Sequence, residues 1–146
     1  MSIDVRTETV IDRPRDEVAA YVSDPSTATE WYRNIRSVEW ETPPPLAEGS
    51  RVRFRARFLG RDLAYTYEIK EQVPGERLVM GTTEGPLAME TTYTFEDAPG
   101  GGTRVAIRNR GGSSGFAQVL APIMARAVRR ETEKDLALLK ELLERR

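Results

Sequence analysis

Alternation of apolar and polar residues dominates most of the chain and predicts a sheet. The segment 3–11 alternates with Ile3, Val5 and Ile11 on one face, which is the pattern of a strand with one buried side. Six more strands are predicted at 36–42, 50–59, 63–72, 77–83, 88–96 and 103–110. Turn signals such as Pro74-Gly75 separate these short strands, so we expect one antiparallel sheet of about seven strands.

Helical spacing replaces the alternation in two regions. Pro14 suits the first turn of a helix, so a short helix is predicted over 14–22, followed by a second one around 26–34. The last 30 residues predict a long amphipathic helix, in which Pro122 either causes a kink or begins the main segment. One predicted apolar stripe of this helix contains Phe116, Leu120, Ile123 and Ala127. Only this helix is large enough to cover the apolar face of the sheet.

The length and composition exclude several kinds of chemistry. The 146 residues fit a single domain over 1–146. The chain contains no cysteine and no histidine, which excludes disulfides, thiolate metal sites and histidine-dependent triads. We therefore expect no metal and no cofactor, and the sequence assigns no catalytic residue.

Charge gives little indication of a macromolecular partner. With 22 basic and 23 acidic residues the net charge is −1, so no nucleic-acid partner is expected. The N-terminal segment lacks the pattern of a signal peptide, and no apolar run is long enough for a membrane span. These observations predict a cytoplasmic protein and leave its oligomeric state open.

Several short segments, taken in order, resemble the SRPBCC superfamily, which includes START domains and polyketide cyclase/dehydrase-like proteins. They include Val10–Pro14, Ser23–Pro25 leading to Trp31, Glu48–Val52, Tyr93–Glu96 followed by Gly102–Val105, and Leu120–Pro122. The resemblance implies an α+β helix-grip fold, in which a curved antiparallel sheet wraps around a long C-terminal helix. It also implies a cavity that accepts lipids, polyketides or similar apolar molecules. Because the superfamily mixes binders, transporters and enzymes, function has to be argued from the site.

The residues predicted to face the helix could form a packed core or line a ligand cavity. Several are tyrosines, whose phenol groups need hydrogen-bond partners when they are buried. A dry core offers few such partners, whereas water or a ligand in a cavity can supply them. We therefore predict that a small hydrophobic molecule binds here. The candidate ligand-binding residues are Trp31, Phe54, Phe58, Tyr65, Tyr67, Met80, Met89, Tyr93, Asn109, Phe116, Leu120 and Met124.

Acid–base groups that point inward are hard to find in the sequence. Glu131 is the best candidate, although the favoured interpretation is a solvated residue beside Arg130 and Lys134. No arginine is clearly in register to face the cavity. Trp31 could gate the cavity or act as a wedge under the helix, and Asn109 could bind a ligand or simply end its strand. A polyketide cyclase or dehydratase using the same cavity is therefore the alternative to a binding protein.

Four arginines alternate along one predicted strand, at positions 51, 53, 55 and 57. Alternation places Arg51, Arg53, Arg55 and Arg57 on the outer face, away from the cavity. They could form a patch for a partner, which would make the chain a protein-interaction module. The favoured interpretation is a solvated sheet face that discourages edge pairing.

Overall fold

The structure is a computed structural model that describes residues 3–58, 60–84, 88–112 and 121–146. The strands are β1 (Ile3–Ile11), β2 (Ile35–Trp40), β3 (Arg51–Phe58), β4 (Arg61–Val73), β5 (Arg77–Glu84), β6 (Ala88–Asp97) and β7 (Thr103–Gly112). The helices are α1 (Arg15–Val22), a 3-10 turn at Pro25–Thr27, α2 (Ala28–Trp31) and the long α3 (Ala121–Glu144). All of the strands predicted from alternation are therefore present.

The seven strands form one antiparallel sheet in the order β1-β7-β6-β5-β4-β3-β2. Every strand from β2 to β7 pairs with its neighbour in sequence, and β1 closes the order by pairing with β7. The first two strands of the chain are thus the two edges of the sheet. Because α1 and α2 connect these edges, they cross one end of the sheet and come near its covered face.

The long helix α3 covers the inner face and reaches the β1 edge. Leu136, Leu139 and Leu143 are buried against inward-facing residues such as Phe95 and Ile107. Two basic side chains of α3 donate hydrogen bonds to backbone carbonyl oxygens of β1. Arg129 donates to the Arg6 oxygen at 3.2 Å, and Lys140 donates to the Val10 oxygen at 2.6 Å. The helix therefore packs on the sheet through its apolar face, and its basic side chains supply hydrogen bonds to backbone carbonyl groups of the exposed β1 edge. This is the helix-grip arrangement that the resemblance implied.

Two helical predictions need correction. The second short helix was predicted over 26–34 but is a 3-10 turn followed by only four α-helical residues. Pro25 lies in the first turn, and the Asp24 carboxylate accepts from the Ser26 backbone N–H at 2.9 Å, which favours the tighter turn.

The predicted stripe on the last helix was also wrong at Ile123, which is 63% exposed. The inward face contains Met124, a predicted ligand-binding residue, together with Val128, and it continues through two polar residues, Thr132 and Asp135. The apolar pattern alone could not show that positions 132 and 135 belong to this face, because both residues are polar. Across the described ranges, no helix combines the length and apolarity needed to cross a membrane.

Candidate functional site

A cavity of about 360 Å³ lies between the sheet, the α2 region and α3. Its wall is built mainly from aromatic side chains, methionines and aliphatic residues contributed by the α2 region, β3 to β6 and α3. This composition follows from the fold, because every second residue of each central strand points toward α3. A cavity of this size and character is suited to a small apolar molecule.

Nine of the twelve candidate ligand-binding residues line this cavity. They are Trp31, Phe54, Tyr65, Tyr67, Met80, Met89, Tyr93, Asn109 and Met124. The other three candidates fall outside what the structure describes, since Phe116 and Leu120 belong to the undescribed segment 113–120 and the side chain of Phe58 is not described.

Trp31 and Tyr32 bring the α2 region against the sheet. The Trp31 ring is 1% exposed and lies 4.0 Å from the Tyr32 ring, centroid to centroid, with the Tyr93 ring edge-on at 6.5 Å. Its indole Nε1 is buried and has no hydrogen-bond partner among the described residues. Trp31 thus packs in the core, as a wedge would, while also contributing to the cavity wall.

The hydroxyl groups of Tyr32 and Tyr93 form a short hydrogen bond across the cavity wall. Burial raises the pKa of both phenols well above the ordinary value, so both are neutral at physiological pH. One hydroxyl donates and the other accepts, which leaves one phenolic hydrogen available to a third group. Tyr32 is not among the predicted ligand-binding residues, and its hydrogen bond joins positions 61 residues apart in the sequence.

The middle strands add a second aromatic group and a polar pair. The Phe54 and Tyr67 rings meet edge-on at 5.6 Å, and burial raises the pKa of Tyr67 to about 12. Opposite each other on β6 and β7, the Thr91 hydroxyl donates to the Asn109 amide oxygen at 2.8 Å. Asn109 therefore does not end its strand, and its side chain is part of the cavity wall.

The acidic residue at the centre of the site is Asp135, which the sequence pattern did not identify. It is 2% exposed, lines the cavity, and accepts a hydrogen bond from the Arg33 backbone N–H at 3.0 Å through Oδ1. Burial raises the pKa of Asp135 to about 6, since it outweighs the opposing effect of that hydrogen bond. The carboxyl can thus change protonation state near neutral pH.

Three other charged residues also line the cavity, namely Asp24, Arg61 and Glu131. Glu131, the predicted inward acid, is half-buried and lies one turn before Asp135. Arg61 reaches the cavity from the exposed start of β4, although no inward arginine was expected. Extending the alternation of Leu63, Tyr65 and Tyr67 back by two residues would have identified it.

None of the arginines at positions 51, 53, 55 and 57 lines the apolar cavity. Arg55 and Arg57 are exposed, and Arg57 is paired with Asp62 at 3.1 Å. Arg51 and Arg53 are only half exposed, and the Arg51 guanidinium donates to the Thr83 hydroxyl at 3.1 Å. The outward register predicted from alternation is therefore observed.

Comparison with known proteins agrees with this architecture. The family model described as polyketide cyclase / dehydrase and lipid transport matches residues 2–144. No curated protein sequence matches the chain significantly.

Solved structures with this fold come from several bacteria. The Zhui aromatase/cyclase of Streptomyces sp. R1128 is 15% identical with a TM-score of 0.82, covering 100% of this chain and 96% of that one. A Thermus thermophilus protein is 22% identical, with a TM-score of 0.80 and 94% of each chain covered. A START superfamily protein of Mycobacterium smegmatis is 13% identical, with a TM-score of 0.72 and coverage of 97% and 94%. At these identities the similarity shows the fold.

Proposed function

Because the chain belongs to the polyketide cyclase / dehydrase and lipid transport family, we propose that it binds a small hydrophobic molecule in the cavity between the sheet and α3. The observation that carries this proposal is the wall itself, in which phenol, indole and thioether side chains surround about 360 Å³. Aromatic and methionine side chains offer apolar area to ligands of varied shape, and their few polar atoms fix orientation. The nine candidate residues on the wall are proposed to contact the ligand.

Blocking the cavity tests this proposal. Ala56 lies on the inner side of β3 and lines the cavity, so Ala56→Phe places a phenyl ring in the proposed binding space. Ala64→Phe makes the same change on β4 at the position paired with Arg55, whose side chain is exposed on the outer face. Native mass spectrometry of freshly purified protein should show a bound non-protein mass in the wild type and in Ala64→Phe, and not in Ala56→Phe.

A protein purified without its ligand needs a second arm. We expect 2-methylnaphthalene, a neutral apolar probe, to bind saturably to the wild type and Ala64→Phe in isothermal titration calorimetry and much more weakly to Ala56→Phe. Absence of both a bound mass and saturable probe binding would overturn the proposal. Equal binding by the two phenylalanine variants would also overturn it, because the ligand would then lie elsewhere.

A second candidate function is a cyclase or dehydratase, and Asp135 is the observation that favours it. An ionised Asp135 could accept a proton from a carbon acid, while the free hydrogen of the Tyr32–Tyr93 pair is donated to the developing carbonyl oxyanion. If the protein only binds, Tyr65→Phe, Tyr67→Phe and Tyr93→Phe should each change affinity by about 0.5–1.5 kcal/mol. A roughly hundredfold loss of turnover with binding retained in one of these variants would establish the enzyme instead.

A further inference from the structure

The inner wall of the cavity presents an unusual acceptor. Oδ1 of Asp135 is occupied by the Arg33 backbone N–H, but Oδ2 has no hydrogen-bond donor within the part of the chain that the structure describes. The side chain is almost entirely buried, so bulk water does not solvate it as it would a surface carboxylate. Oδ2 itself keeps accessible surface in the cavity, so a ligand there can reach it and supply the missing donor.

The charges lining the cavity have the same sign as this acceptor. Three carboxyl groups line it, from Asp24, Glu131 and Asp135, against one guanidinium, from the exposed Arg61. The residues outside the described ranges carry no charged side chain, so they do not alter this balance.

The groups around Asp135 do not neutralise it. On α3 itself, Glu131 disfavours the ionisation of Asp135 and Lys134 favours it. Arg33, in the segment after α2, also favours the ionised carboxylate. The Tyr32 and Tyr93 phenols face it as neutral groups. No cation forms an ion pair with Asp135 in the described residues.

From this arrangement we infer that the cavity selects apolar molecules carrying a hydroxyl or protonated amine that donates to Oδ2 of Asp135, and that it discriminates against carboxylates. This inference rests on the proposed binding function and adds the chemical class of the ligand. An alcohol supplies the missing donor, and an ammonium group supplies it with a charge that strengthens the hydrogen bond. A carboxylate places a second negative charge beside a buried acceptor. Fatty acids are therefore poor ligands, and apolar alcohols and amines are good ones.

Four probes with the same ring system test the inference in the full chain. They are 2-methylnaphthalene, 2-naphthalenemethanol, 2-naphthalenemethanamine and 2-naphthoate. Calorimetric dissociation constants at pH 8 should rank the amine tightest, then the alcohol, then the hydrocarbon, with the carboxylate weakest. We expect the amine to bind about tenfold more tightly than the hydrocarbon, which is the size of one charge-assisted hydrogen bond after desolvation.

Two variants assign the preference to Asp135. Asp135→Asn should remove most of the amine's advantage over 2-methylnaphthalene, which serves as the reference within each variant. Glu133→Gln removes one negative charge from an exposed position of the same helix and should preserve the full ranking. Equal effects of the two substitutions would overturn the assignment, because they would reflect net charge alone.

The pH dependence of probe binding by the wild type tests the same assignment and can be measured even if Asp135→Asn does not fold. Lowering the pH from 8 to 5 should reduce the amine's advantage, because Asp135 becomes protonated while the amine keeps its charge. Equal affinities for all four probes, or tightest binding of 2-naphthoate, would overturn the inference while the binding function stood. Failure of 2-methylnaphthalene itself to bind would instead count against the proposed function.

Discussion

Replacing Asp135 by asparagine should stabilise the protein at neutral pH, although most substitutions of buried residues destabilise. Asparagine keeps an oxygen that can accept from the Arg33 backbone N–H and removes the buried charge. The carboxyl group that we propose to contact the ligand is therefore expected to lower the stability of the fold, as groups held for function often do.

The magnitude follows from the pKa of Asp135, which burial raises from 3.8 to about 6. The folded state then holds the proton more tightly than the unfolded state, so the contribution of Asp135 to stability is fully present below pH 3.8 and is lost as the pH rises through about 6. A pKa change of this size corresponds to about 3 kcal/mol when fully expressed. Because Asp135 borders the cavity and not a fully packed interior, we expect Asp135→Asn to gain about 1–3 kcal/mol over the wild type at pH 8.

Urea denaturation of both proteins at several pH values measures this effect. The difference in the free energy of unfolding should be largest at pH 7–8, decline as the pH falls through 6, and level off near pH 4. Because the other titrating groups are common to both proteins, their contributions cancel in the difference. A difference that does not vary with pH, or a variant less stable than the wild type at pH 8, would refute the assignment of a raised pKa to Asp135.

Three further predictions concern stability, each measured as a free energy of unfolding in urea. Tyr32→Phe and Tyr93→Phe should each cost about 1–3 kcal/mol by leaving one buried hydroxyl unpaired, and the double variant should cost less than their sum; additive losses would show that the hydroxyls do not interact. Gly102→Ala should cost about 1–3 kcal/mol, because its Cβ would lie 2.9 Å from the Ile11 carbonyl oxygen, and an unchanged stability would contradict that approach. Leu139→Ala, at a fully buried position of α3, should cost about 2–5 kcal/mol, and a loss under about 1 kcal/mol would mean that the helix does not cover the core there.

The sheet could be predicted from sequence because its signal is local. In β3, for example, Val52 and Phe54 alternate with arginines, and the same period places Tyr65 and Tyr67 inward on β4. Once the inward-facing residues of each strand are known, they can be predicted to form the cavity wall, and this prediction does not require the order of the strands in the sheet.

The polar part of the site could not be predicted in this way. Asp135 is one acid among many on a highly charged helix, and only the docking of α3 against the α2 region shows that it is buried. The contact between Tyr32 and Tyr93 joins a short helical segment to a strand distant in sequence. Such pairings depend on tertiary packing, which residue periodicity does not encode.

The central claim, that an apolar molecule binds between the sheet and α3, is tested most directly by methionine methyl NMR. The chain has four methionines, and three of them, Met80, Met89 and Met124, line the cavity from β5, β6 and α3, whereas Met1 is the first residue. Titration of methyl-labelled protein with 2-methylnaphthalene should shift the methyl resonances of Met80, Met89 and Met124 in a saturable way with one common dissociation constant. Saturable binding in calorimetry without shifts at Met80, Met89 and Met124 would contradict the claim, since the probe would then occupy another part of the molecule.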